Sequence, residues 1–247
     1  SIMANKKVTV LGIDFIDTTM EAMIERLKGH LEKEEKVFVV TANPEIVLYA
    51  RKDPTYQSYI DKATYVTADG IGIVKAAQLL GDPLPERVTG FDLFIRLLEL
   101  ANERRYSVYL LGAKEAVLQK TVAEIERRYP NVVIAGSHHG YFDWNSTEIE
   151  TEIASLQPDL VFLALGFPRQ EKWIAERLHR FEKGVFIGIG GSFDVLAGEV
   201  KRAPEAWQKL HLEWLYRLIQ QPSRWRRMLA LPVFVLEVLK EKWKRTR

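Results

Sequence analysis

The chain has 247 residues, 47% hydrophobic and 28% charged, a balance that fits a folded globular protein and excludes a disordered one. It holds no cysteine, which excludes disulfides, thiolate metal sites and cysteine nucleophiles. The formal net charge of +2 hides a division: residues 201–247 carry twelve Lys and Arg against four Glu, leaving 23 basic against 29 acidic residues in 1–200, as expected of a basic module that meets an anionic ligand or surface.

Lys6-Lys7 is followed only by Val8 to Ile13 before Asp14 interrupts, too short for a secretory signal, so a cytoplasmic protein is expected. Val8 to Ile16 reads as a strand or hairpin, and Thr18 is placed to cap a helix through about Leu31. Val37 to Val40 is a buried strand that delivers Thr41 and Asn43 at its C-terminal end, with Asn43 as N-cap and Pro44 in the first turn of a helix to Ala50. Ala63 to Val66 is the next strand. It runs into Thr67-Ala68-Asp69-Gly70-Ile71-Gly72, where a carboxylate stands among small residues. Asp69 either caps the helix from Ile71 to Leu80 or serves a ligand in the crevice at the strand ends of an open sheet.

A loop with Arg87 and Asp92 leads into an amphipathic helix from Leu93 to Arg104, then a strand over Ser107 to Ala113 and a helix closed by Pro130. Val132 to Gly136, Leu160 to Gly166 and Val185 to Gly191 are further buried strands, the first two separated by a helix near Thr147 to Leu156. His138 and His139, adjacent on a strand, should point to opposite faces and hold no metal. Repeated apolar strand, small-residue turn and helix imply an α/β fold, a Rossmann-like, mostly parallel sheet with helices on both faces and right-handed crossovers. Thr41, Asn43, Asp69, Gly112, Gly136, Gly166 and Gly190 then converge on one crevice.

Gly112-Ala113-Lys114 and Gly190-Gly191-Ser192 place small residues where a helix N-terminus favours phosphate, although glycine there is also a packing device. Neither is a Walker loop, and no Gly-x-Gly-x-x-Gly follows the first strand. Gln170 in Gly-Phe-Pro-Arg-Gln-Glu suits a sugar or base through its amide, whereas a surface helix start explains Glu171 and Lys172. Asp194 again follows a glycine turn and reads equally as a cap.

In the tail, Trp207, Leu210, Trp214, Leu215 and Leu218 form a stripe expected of one helix. The stripe serves either a core or a membrane surface. Four of the six tryptophans lie in 201–247 beside the excess of basic residues, which suits an anionic headgroup layer. Met228 to Leu236 is far shorter than the roughly 20 residues needed to span a bilayer. The expected division is a catalytic α/β domain over 1–198 and a basic, Trp-rich helical appendage over 199–247.

Thr-Ala-Asn-Pro-Glu at 41–45, Ala-Asp-Gly-Ile-Gly at 68–72, Arg-Val-Thr-Gly-Phe-Asp at 87–92, Leu-Leu-Gly-Ala at 110–113, Gly-Phe-Pro-Arg-Gln-Glu at 166–171 and Gly-Gly-Ser-Phe-Asp at 190–194 occur in that order over nearly the whole chain. Together they resemble the WecG/TagA/CpsF glycosyltransferase family, and Glu213 to Arg217 with Pro222 to Arg227 extend the likeness into the tail. The resemblance implies an inverting transferase without metal or cofactor, peripheral on the cytoplasmic membrane face, and is greatest to the TagA branch of wall teichoic acid synthesis. Its partners would be UDP-N-acetylmannosamine as donor, polyprenyl-diphosphate N-acetylglucosamine as acceptor and an anionic membrane surface, with no nucleic acid; a homo-oligomer is left open. Asp69 would be the base that takes the acceptor hydroxyl proton. Arg87, with Arg217, Arg224 and Arg227 matching arginines of the family's C-terminal segment, would meet the leaving-group charge, although Pro222 argues against one helical face for the last three. The remaining turn residues, Thr41, Asn43, Gly112, Gly136, Gly166, Gln170, Gly190, Gly191 and Asp194, would line the substrate site. His211 departs from the small residue expected of the family, against tight packing of its helix.

Other classes leave more unexplained. A nucleotide-dependent oxidoreductase would want the missing glycine fingerprint, and a structural membrane adaptor would need the tail but no crevice. A nucleic-acid-binding Rossmann-like protein would use the basic tail but not Asp69 or Gln170.

Overall fold

The structure, a computed structural model, describes residues 6–247. It opens with a hairpin of β1 (Lys7–Val10) and β2 (Ile13–Ile16), turned tightly through Leu11 and Gly12, both at positive φ. Then follow α1 (Met20–Glu32), β3 (Lys36–Ala42), α2 (Pro44–Lys52), α3 (Pro54–Asp61), β4 (Tyr65–Ala68), α4 (Ile71–Leu79), α5 (Gly90–Arg104), β5 (Ser107–Gly112) and α6 (Glu115–Arg128). The second half holds β6 (Val133–His138), α7 (Glu148–Leu156), β7 (Leu160–Ala164), α8 (Arg169–Arg177), β8 (Gly184–Gly188) and α9 (Ser192–Leu196). The tail forms α10 (Glu205–Lys209), α11 (Glu213–Gln220), a 3-10 turn (Pro222–Arg224), α12 (Trp225–Met228) and α13 (Ala230–Thr246).

The six strands β3 to β8 form one sheet in the order β4-β3-β8-β7-β5-β6, every neighbouring pair parallel. Val37 to Val40 are at most 1% exposed because helices cover both faces, which is why these strands read as unbroken apolar runs. α2, α3, α4, α7 and α8 pack on one face around Phe38, Val161 and Trp173. α1, α5, α6 and α9 pack on the other around Val39, Phe162 and Ile187. The register pairs Ala42 with Ala68 and Gly112 with Ala164, so the strand C-termini end nearly flush. That common edge gathers most of the candidate site residues.

Two local expectations are corrected and a third segment is placed. Thr19, not Thr18, caps α1, its hydroxyl accepting from Ala22 N at 3.1 Å. The stripe from Trp207 to Leu218 is two helices, broken where His211 takes φ 60°; the left-handed turn explains the small residue expected there. The apolar run ending at Leu236 belongs to α13, one face of which is docked: Phe234 and Val238, 2% and 1% exposed, join the core beside α2 and α4. Leu236, Leu239 and Trp243, spaced three and four residues apart on the opposite face, are exposed.

Candidate active site

β4 ends at Ala68, and the Asp69 N–H donates to Ala42 O at 3.0 Å, which fixes the carboxylate beside the end of β3. Gly70, at φ 116° and ψ 156°, is the N-cap of α4 and no side chain caps that helix, so Asp69 is not spent as a cap. α4 starts close against α2: a Cβ on Gly72 would lie 2.9 Å from Pro44 Cγ. On the other side, Thr67 Oγ1 donates to Val88 O at 3.0 Å and Val88 N to Ala68 O at 2.8 Å, which pins the loop before α5 to β4. The N-terminus of α5 therefore faces Asp69, with the Gly90 N–H donating to its carboxylate. Burial pushes the Asp69 carboxyl up to about 6; Arg217 opposes this, and Glu213 and Asp92 reinforce it.

The tail supplies the cations. Arg224 is pulled down to about 10 by burial and by its neighbours Arg217 and Arg227, while Glu45 of α2 acts the other way. Arg227 pairs with Glu45 at 3.2 Å, and Arg224 Nε is buried without an acceptor among the described residues. Despite the break at Pro222, the three arginines thus gather above the ends of β3 and β4. Arg87 is turned to the tail, its Nη1 3.7 Å from Glu213 Oε2, and Arg202 bridges Glu213 to Asp92.

The other expected residues spread along the same edge in two kinds. Gly166 and Gly190 take positive φ and, with Gly191, have open space around them, so their backbone can be approached. Gly112 is a packing position, since a Cβ there would come within 2.3 Å of Ala164 O. Gly136 lies inside β6 rather than at its end; a Cβ would be 2.8 Å from the Tyr109 ring. Thr41 Oγ1 donates to Gly188 O at 2.9 Å under Gly90, and Asn43 caps α2 by accepting from Ile46 N at 2.9 Å. Gln170, 3% exposed, packs on Gly188 and accepts from Gly190 N at 3.1 Å, so its amide oxygen shapes the Gly190 turn. Asp194 lies in the first turn of α9, its carboxyl raised by burial and by Glu199, with Lys114 opposing.

Glu171 is corrected from a surface residue to a buried one. It is 1% exposed, accepts from the Tyr56 hydroxyl at 2.7 Å, and burial pushes its carboxyl up to about 7. His138 and His139 do not splay apart: β6 ends between them and their ring centroids lie 4.4 Å apart. Among the described residues no group of three or more His, Asp or Glu is placed to hold a metal ion. Sequence reasoning gave no role to Glu45 and Glu213, although each stands inside a quoted motif, nor to Arg202. Ala113, named in the Gly112 turn, continues that turn at φ 63°.

A parallel α/β sheet with a carboxyl raised to about 6, an arginine cluster and open glycine turns at its strand ends has the form of a Rossmann-like group-transfer enzyme. The chain belongs to the WecG/TagA/CpsF family of glycosyl transferases, whose model matches residues 8–247. It is 42% identical over 229 residues to the N-acetylglucosaminyldiphosphoundecaprenol N-acetyl-beta-D-mannosaminyltransferase of Bacillus spizizenii strain W23, covering 92% of this chain and 89% of that protein. It is 40% identical over 240 residues to the protein of the same name from Staphylococcus aureus strain MW2, covering 96% and 94%.

Proposed function

We propose that this chain transfers N-acetylmannosamine from UDP to undecaprenyl-diphosphate N-acetylglucosamine, the step that extends the linkage unit of teichoic acid. The observation that carries the mechanism is the Asp69 carboxylate, raised to about 6 and set under Arg217 between the ends of β4 and α5. Above that pH it is ionised and still basic enough to take the proton of the acceptor hydroxyl. The hydroxyl oxygen attacks C1 of the donor sugar, the C1–O bond to UDP breaks, and its electron pair goes to the β-phosphate. One displacement inverts the anomeric centre.

Arg217, Arg224 and Arg227 offset the charge that builds on the leaving diphosphate, the part a divalent metal plays in many sugar transferases, and the unpartnered Arg224 Nε suits a phosphate oxygen. Arg87, paired with Glu213 and acting on Asp92, adds positive charge beside that cluster from the core. Four inter-strand steps separate β4 from β5, about 19 Å, room for an acceptor at the Asp69 end and a nucleotide along the Gly190, Gly166 and Asp194 turns. Thr41, Asn43, Gln170, Gly112 and Gly136 support that surface by holding strand ends and turns in place.

Residues 199–247 form the conditional part of the enzyme, docking on the anionic inner leaflet. No helix among the described residues is long and apolar enough to cross a membrane. Trp214, Trp225, Leu229, Leu236, Leu239 and Trp243 are nonetheless exposed in a segment with twelve Lys and Arg. The test is a panel of UDP-sugars offered with a lipid-diphosphate N-acetylglucosamine acceptor, with mass detection: UDP-N-acetylmannosamine should be the best donor, and no product from it would refute the assignment.

A further inference from the structure

We propose that Glu213 is a positioning residue: clamped between Arg87 and Arg202, it registers α11 on the core so that Arg217 comes to bear on Asp69. The inference rests on the reading of Asp69 as the base and adds a residue that reading does not use. Its first ground is that α11 buries none of its residues fully: Leu215, Tyr216 and Leu218 are half-buried, and Tyr216 meets Trp207 edge-on at 5.5 Å, an adaptable contact that leaves the register of the helix to polar pairs. A polar clamp sets it. Glu213 opens the helix, and its two oxygens are held from different sides, Oε1 by Arg202 Nε at 3.1 Å and Oε2 by Arg87 Nη1 at 3.7 Å.

Arg202 is itself held: it donates to Asp92 Oδ1 at 2.5 Å and Oδ2 at 3.4 Å and lies over the Phe91 ring at 5.1 Å. Asp92 is in the first turn of α5, the helix whose Gly90 N–H reaches Asp69. The chain Asp92, Arg202, Glu213, Arg87 thus ties the tail to the same helix start that holds the base. Its side chains are only 22–37% exposed, so solvent screens these pairs less than it would a fully exposed one. Arg217 follows Glu213 by four residues, one turn along the same face, so fixing the first delivers the second.

The charged and polar groups around the Asp69 carboxylate are Arg217 and Glu213 from α11 and Asp92 and the Gly90 N–H from α5, with Arg217 acting more strongly than Glu213. The two roles open to Glu213 therefore move the acid limb of a pH profile in opposite directions. If Glu213 were only a nearby negative charge, Glu213→Gln would lower the pKa of Asp69. If it positions Arg217, the variant loses the stronger positive influence as well, and the limb moves up.

The experiment measures kcat/KM from pH 5 to 9 with a soluble short-chain acceptor for the full chain, Glu213→Gln, Arg217→Gln, the double variant and Asp69→Asn. The expected result is a roughly 10-fold fall for Glu213→Gln with an upward shift of its acid limb, and a double variant no slower than Arg217→Gln alone. Multiplying losses, a downward shift, or full activity in Glu213→Gln while Asp69→Asn is inactive would overturn the positioning role and leave Asp69 standing. An active Asp69→Asn protein would bring down both.

Discussion

A base that works near neutral pH must be ionised and still hold a proton well, and Asp69, the proposed base, fits both demands because burial, Asp92 and Glu213 outweigh Arg217. Its pKa is raised, so the working form is present above about 6 and is lost as the pH falls through that value. The kcat/KM profile should therefore drop tenfold per pH unit below about 6; a limb near 4 would mean an ordinary carboxyl. Asp69→Asn should reduce turnover by roughly 10²-fold or more in a protein that remains folded. Gly112→Ala tests the opposite kind of residue: with Ala164 O 2.3 Å from the added Cβ, it should lower the melting temperature, whereas an unchanged one would deny the close approach of β5 and β7. Asp69 and the glycine turns were legible in the sequence because small and polar residues directly follow apolar strands. Glu171 and Glu213 were not, because a polar side chain reads as surface until its partner is known, and theirs lie 115 and 126 residues away at Tyr56 and Arg87; Gln170 was named for its amide, but not its bond to Gly190, 20 residues on.

At the scale of elements, α3 and α8 meet through the Tyr56–Glu171 hydrogen bond. Glu171 is raised to about 7 in the fold, so the native state binds more protons than the unfolded chain between about 4.5 and 7. Stability contributed by this group therefore falls as pH rises through that window and levels off above it. Glu171→Gln should flatten the dependence of melting temperature on pH between 5 and 8; an unaltered slope would show that Glu171 titrates normally. The expected single helix from Trp207 to Leu218 fails at His211 because apolar spacing survives a turn that interrupts it. His211→Gly should relieve the left-handed strain and stabilise the α10–α11 turn by about 1 kcal/mol, measured by thermal unfolding; a lower melting temperature would contradict this. Periodicity also understates α13, which has two apolar faces, one docked on the core through Phe234 and Val238 and one exposed.

For the whole molecule, the parallel sheet was readable from the alternation of buried strands and helices, but strand order was not, since it depends on where each crossover lands. The charge division was also plain in the sequence, yet only the fold shows that the same tail both carries the exposed Trp and Leu face and brings Arg217 to Asp69, with Arg224 and Arg227 beside it near Glu45. With about 1 kcal/mol per basic residue near an anionic leaflet, binding to vesicles rich in anionic lipid should be firm at low salt and weaken steeply as salt rises. Salt-insensitive binding would leave the apolar face alone responsible. Recruitment and catalysis are separated by a soluble short-chain acceptor, which removes the need for a membrane. The measurement that bears most directly on the account is turnover of that acceptor by the full chain carrying Arg224→Glu and Arg227→Glu. Loss of activity by roughly 10²-fold, in a folded protein, is the expected result if these arginines meet the leaving-group charge, and turnover equal to that of the unsubstituted chain would contradict it.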